Sequence, residues 1–114
     1  MKQVYRIEAI RLNAWKIPAW LEEKVKKRDK LCVYCHVPMK EYLHRKGTPI
    51  GKATWEHVDN DEGNISESNI VRCCSSCNKS KGAKKLSDWL ESPYCKRNKI
   101  NKKTIANVVR KSHQ

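Results

Sequence analysis

Apolar positions recur at helical spacing over residues 3–14, where Val4, Ile7, Ile10 and Ala14 fall on one face with Tyr5 and Leu12 beside them. A second helix is predicted from near Pro18, a residue suited to a first helical position, to about Lys30. Its Trp20, Leu21 and Val25 would face the core while the intervening Glu and Lys residues face water. Cys32-Val33-Tyr34-Cys35 then reads as a tight turn. Met39, Tyr42 and Leu43 are spaced i, i+3, i+4, which predicts a short helix over 38–47; a hairpin arm is the competing assignment. After a turn marked by Pro49 and Gly51, residues 53–58 are rich in strand formers. The polar stretch 59–68 is a loop, and Asn69-Ile70-Val71-Arg72 returns as a second short strand. Cys74 to Cys77 reads as another turn, followed by a helix from about Asn78 to Leu90 that Pro93 ends. In the tail, Ile105, Val108 and Val109 share one helical face that could dock on the core. The class is therefore α+β, a small core flanked by N- and C-terminal helices.

At 114 residues the chain suits one domain, with N-terminal helices over 1–30, a core over 31–92 and a basic helical tail over 93–114. Hydrophobic residues make up 39% and Phe is absent, so the core is thin and a structural metal would help to hold it. The four tryptophans, Trp15, Trp20, Trp55 and Trp89, are expected to supply much of the packing.

Charge changes the picture next. The chain carries 25 Lys plus Arg against 12 Asp plus Glu, a formal +13. Such an excess favours a polyanionic partner, because each neutralised phosphate releases counterions. No stretch is long and apolar enough to span a bilayer, and the N-terminus lacks the apolar run of a signal peptide. An intracellular, non-secreted protein is the expectation. In that setting six cysteines point to metal ligation more than to disulfides.

Cys32-x-x-Cys35 and Cys74-x-x-Cys77 carry the strongest chemical signal. Zinc takes four tetrahedral ligands, and each such turn aims two thiolates at one point. A site closed by four cysteines has no open position for water and is structural. Cys73, adjacent to Cys74, is an alternative ligand, and His36 a weaker one; Cys95 is left over, and His44 and His113 are bystanders. The 38 residues between the two motifs exceed the roughly 15–20 of a zinc ribbon, so the inserted segment must form something of its own.

That segment is electrostatically unlike the rest. Five of the 12 acids lie between Glu56 and Glu67, and no Lys or Arg occurs from Ala53 to Val71. An acidic pocket in a basic protein suits a hard cation. His57 stands beside it, and an imidazole can take a proton from water. A solvated acidic loop beside a core histidine is the plainer alternative.

The order Glu56-His57, Asn69, then Cys74-x-x-Cys77-Asn78-Lys79-x-Lys81-Gly82 resembles the HNH endonuclease family, in its zinc-knuckle branch with Asn at the third position. Val25, Arg28, Asp29, Cys32, Tyr34 and Cys35 match the lead-in, with one residue fewer than many members before the first Cys. The likeness covers roughly residues 18–86. It implies a ββα-metal fold, two strands and a helix around one divalent ion, Mg²⁺ or Mn²⁺. His57 would be the general base that activates water. Asn69 would hold loop and imidazole in register, and Asn78 would be a metal ligand through its side-chain oxygen. Glu56 would be the second protein ligand, with Asp59 or Asp61 as substitutes. The family often has Pro three residues after the His, where this chain has Asn60. Cleavage of DNA to a 5′-phosphate and a 3′-hydroxyl is the implied reaction, with activity falling below about pH 6.5, the reference pKa of imidazole.

Lys79, Lys81, Lys84 and Lys85 lie on or near the last core helix and could contact phosphates flanking the cut. Two other readings fit fewer of these features: a non-catalytic zinc module that binds DNA or RNA, and a zinc domain for protein contacts. The short chain leaves little room for separate recognition, so specificity would come from its flanks, a homodimer or a larger nuclease or packaging partner.

Overall fold

A computed structural model of the chain describes residues 15–41 and 51–112. The helix expected over 3–14, most of the segment 38–47, His44 and His113 lie outside the described residues.

Helix α1 spans Ala19–Arg28 with Pro18 as its extended N-cap. Leu21 and Val25 are its buried residues, one turn apart, and they pack on Ile17 and Ile70. Trp20, expected in this face, is instead 64% exposed. It directly precedes Leu21, a rotation of about 100° around the helix, and so misses the buried stripe.

The sheet has the order β1-β2-β3. β1 is Met39–Lys40, and it pairs parallel with the start of β2, Gly51–His57. A strand therefore stands where the spacing of Met39 predicted the start of a helix. The packing of Val37 and Met39 against the main core draws this segment to the sheet edge. β3, Ile70–Cys74, runs antiparallel to β2 with Trp55 opposite Arg72 and His57 opposite Ile70. Every residue of β3 is buried, because both faces of the ribbon are covered. One face carries Ile70 and meets α1; the other carries Val71 and Cys73 and joins the main core around Trp89.

Helix α2 is Ser75–Lys81. The second CxxC is thus the first turn of a helix rather than a turn preceding one, and the Cys74 side chain caps it by accepting from the Cys77 N–H. The long helix expected to Leu90 is broken at Gly82, whose φ of 52° lies in the left-handed region that glycine tolerates. A short helix α3, Leu86–Trp89, follows. Pro93 starts a helix rather than stopping one: α4 is Pro93–Arg97, capped by Ser92 Oγ with proline in its first turn. The tail closes with α5, Asn107–Ser112, and buries Ile100, Ile105 and Val109 in the main core. Ala106 N–H donates to the Val33 carbonyl at 2.8 Å, which ties the tail to the first CxxC turn.

Of the tryptophans, Trp89 is fully buried and makes an edge contact with Tyr34 at 4.9 Å, while Trp55 is half-buried. Trp15 is 39% exposed and, like Trp20, is not a core residue. Among the described residues no helix is long and apolar enough to cross a membrane.

Candidate metal centre and adjoining cleft

The two CxxC turns converge. The sulfur atoms of Cys32, Cys35, Cys74 and Cys77 all lie within 4.8 Å of one another. Cys35 Sγ and Cys74 Sγ are 3.8 Å apart. Four sulfurs placed tetrahedrally at about 2.3 Å from zinc are separated by about 3.8 Å, so the cluster fits that ion. Backbone N–H groups support the sulfurs: Tyr34 N and Cys35 N face Cys32 Sγ at 3.4 and 3.5 Å, and Cys77 N faces Cys74 Sγ at 3.5 Å. Hydrogen bonding with Cys35 draws the Cys32 thiol down to about 7, and bonding with Cys32 does the same for Cys74. Cys77 is pushed up by its contacts with Cys32 and then Cys35.

The choice between Cys73 and Cys74 follows from strand alternation. Cys74 turns to the cluster, whereas Cys73 faces Thr54 across the ribbon, with Thr54 Oγ1 at 3.6 Å from its sulfur. Burial pushes the Cys73 thiol well up, which keeps it neutral. Cys95 is buried away from the four, and the His36 ring, also outside the cluster, meets the Thr104 carbonyl. Gly51 permits the close approach of β2 to this centre: a Cβ there would lie 2.8 Å from Cys74 Cβ.

Next to the cysteines, an open cleft of about 270 Å³ is lined by Trp15, Trp55, Glu56, His57, Asn60, Glu62, Asn78, Gly82 and Ala83. Glu56 and His57 are the last two residues of β2. Strand alternation sends them to opposite faces, yet both reach this cleft because it sits at the strand end. Asn78 comes from α2. Its Nδ2 donates to Thr54 Oγ1 at 2.9 Å and to the Trp55 carbonyl at 3.1 Å, and a carbonyl can only accept. The side-chain oxygen of Asn78 is thereby oriented away from the strand as an acceptor.

Glu56 is 6% exposed and doubly held through one oxygen. Its Oε2 accepts from Tyr34 Oη at 3.1 Å and pairs with Lys81 Nζ at 3.0 Å. Burial, reinforced by the Glu56 charge, pushes the Tyr34 phenol well up, so it remains a donor. Oε1 is the oxygen left for the cleft. His57 is 6% exposed, its Nε2 is buried with no hydrogen-bond partner among the described residues, and its ring meets the edge of Trp15 at 5.5 Å. Buried polar atoms in folded proteins are rarely left unpaired, so this nitrogen marks a place for a water, an ion or a ligand.

Asn69 is fully buried outside the cleft and organises the loop between β2 and β3. Its Oδ1 accepts from Asp59 N–H, and its Nδ2 donates to Asp59 Oδ1 and to the Asn64 carbonyl, each at 3.0 Å. Its own carbonyl accepts from Val58 N–H at 3.0 Å, one residue beyond His57. Asp59 is engaged within this loop, also taking Asn64 Nδ2 at 2.8 Å, and Asp61 accepts from Gly63 N–H. Neither lines the cleft, whereas Glu62 does.

Asn60 has φ 65°, which the proline ring cannot adopt. Its side chain bridges to the end of α2, donating to the Ala83 and Lys84 carbonyls and accepting from Lys81 Nζ at 2.9 Å. Lys81 is therefore fully buried, and its expected place on an outer, phosphate-facing surface is corrected by this pairing. Lys79, Lys84 and Lys85 are exposed on or beyond α2. Tyr34, Asn60 and Lys81 form the support behind Glu56, a role that spacing alone gave no means to find. Arg28 and Asp29 hold α1 to the ribbon. Arg28 binds Asp29, the Glu67 carbonyl and the Ile70 carbonyl, and Asp29 Oδ2 accepts from Arg72 N–H.

The cleft thus brings together the carboxylate of Glu56, the side-chain oxygen of Asn78 and the ring of His57. Comparison with protein-family models, with curated proteins and with solved structures finds no match to this chain.

Proposed function

We propose that the chain is a metal-dependent endonuclease of the HNH type acting on DNA, with a zinc ion in the four-cysteine centre. The observation that carries this reading is the meeting of Glu56, His57 and Asn78 on one open cleft, with His57 Nε2 unpartnered. In this reading the antiparallel pair β2–β3 and helix α2 are the ββα-metal unit.

Glu56 Oε1 and Asn78 Oδ1 would hold Mg²⁺ or Mn²⁺, and the ion would neutralise charge on the scissile phosphate and the departing 3′ oxygen. His57 accepts the proton of the attacking water and must be neutral to do so. Its low exposure and the contact with Trp15 limit the movement of the ring. Asn69 acts at one remove, holding the loop that follows His57. The formal +13 supplies the attraction for DNA, with Lys79, Lys84 and Lys85 exposed near the cleft to meet flanking phosphates.

One observation favours a non-catalytic nucleic-acid-binding zinc module instead: Glu56 already has a buried counter-ion in Lys81. Metal titration separates the two. A nuclease relaxes supercoiled plasmid only with Mg²⁺ or Mn²⁺ and loses this in Asn78→Ala with its zinc retained; a binding module retards DNA equally with and without the ion and never cuts it.

A further inference from the structure

A second cavity, of about 240 Å³, lies on the other side of Trp55 and is lined by Lys26, Asp29, Lys30, Met39, Glu41, Ala53 and Arg72. Arg72 is 3% exposed. Among the described residues its Nε and Nη1 have no hydrogen-bond partner, and its guanidinium lies 4.2 Å over the Trp55 ring. A buried guanidinium with two idle donors is costly unless something accepts from it. Among the described residues only Nη2 is engaged, by Glu41 at 2.9 Å, and the Glu41 side chain is 57% exposed. Asp29, the other acid here, is already paired with Arg28. Lys26 and Lys30 stand at the lip, both exposed. Stacking on Trp55 fixes the guanidinium plane, as suits recognition of a phosphate oxygen.

We propose that this cavity binds a backbone phosphate of the nucleic acid that occupies the cleft, with Arg72 as its floor and Lys26 and Lys30 as its lip. This rests on the nucleic-acid reading given above and adds a second anchoring point to it. The placement fits. Ala53, Trp55 and His57 project from the same face of β2, and Ala53 belongs to one cavity while His57 belongs to the other. Four residues of strand cover about 13 Å. A duplex rising about 3.4 Å per base pair spans that distance in about four steps. Glu41 then acts as a stand-in anion that the phosphate displaces.

The test is binding of a short DNA duplex of fixed sequence, without added divalent ion, across about 50 to 200 mM salt. Lys26→Gln/Lys30→Gln and Arg72→Met weaken binding several-fold. Arg72→Met, which removes the floor contact, lowers the slope of log K against log salt by about 0.9. Glu41→Gln, which removes the competing charge but keeps an oxygen to accept from Arg72, tightens binding more than Glu91→Gln does, a difference that the mere loss of a surface acid does not give. Lys96→Gln, far along the chain in α4, is the control. If the native protein binds DNA but Glu41→Gln and the lip variant match their controls, the phosphate site is wrong while the nuclease reading stands. Failure of the native protein to bind DNA removes both. Inorganic phosphate that quenches tryptophan emission through Arg72, with DNA binding unaltered by every variant, assigns the cavity to free phosphate and overturns the proposal.

Discussion

Lys81 Nζ lies 3.0 Å from Glu56 Oε2, with the lysine side chain wholly buried and the carboxylate nearly so. Two opposite charges taken out of water stabilise little as a pair, yet removing one strands the other. Tyr34 and Asn60 complete the hydrogen bonding around them. Lys81→Met is expected to cost about 3–5 kcal/mol in chemical denaturation. Glu56→Gln/Lys81→Met recovers much of that loss, because no unpaired charge remains. A Lys81→Met variant as stable as Lys85→Met would rule the network out.

Metal content tests the cysteine assignment. The purified protein is expected to hold a single zinc, and Ser replacing Cys32, Cys35, Cys74 or Cys77 to release it and unfold the core, which also contains Val33 and Trp89. Cys73→Ser and Cys95→Ser keep the zinc. Retention in Cys74→Ser with loss in Cys73→Ser would reverse the assignment.

Gly51 makes a sharper prediction about the same centre. Gly51→Ala drives a Cβ to 2.8 Å from Cys74 Cβ, so it weakens zinc binding in competition with a chelator. Gly63→Ala meets only Asp61 Oδ1, at 3.3 Å, and leaves the zinc affinity unchanged. Equal affinities for the two variants would contradict the close approach.

For Asn69→Ala, the Asp59 N–H and the Asn64 carbonyl lose their partner, at an expected cost of about 1–3 kcal/mol. Amide exchange at Asp59 accelerates with it. Asn69→Asp preserves the acceptor but sets a carboxylate against Asp59, so it is more damaging at neutral than at acid pH. Unchanged exchange at Asp59 would remove Asn69 from its role in the loop.

The four-cysteine cluster was readable in the sequence because its signals are local. Two CxxC turns place sulfurs by short-range geometry, and Leu21 and Val25 declare the buried stripe of α1 by spacing. The adjacency of Cys73 and Cys74 left the ligand open until pairing with β2 fixed which face each takes. What failed depended on distant partners. Lys81 looks like any helix-surface lysine until Glu56, 25 positions earlier, folds over it. Pro93 reads as the end of a helix, but the Ser92 cap makes it the start of the next. Gly82 falls inside the helix expected from Asn78 to Leu90, but its positive φ ends α2 there. Arg72 reads as a polar residue in a short strand, and its burial over the Trp55 ring appears only once β2 pairs with β3.

The most direct measurement is cleavage of supercoiled plasmid by the purified, zinc-loaded protein with Mg²⁺ or Mn²⁺, beside His57→Ala. Nicked or linear product that depends on the added ion, and is lost in a His57→Ala variant that keeps its zinc and its fold, is the predicted result. Intact plasmid with either ion, or equal cutting by His57→Ala, would contradict the assignment of His57 as the base of a nuclease.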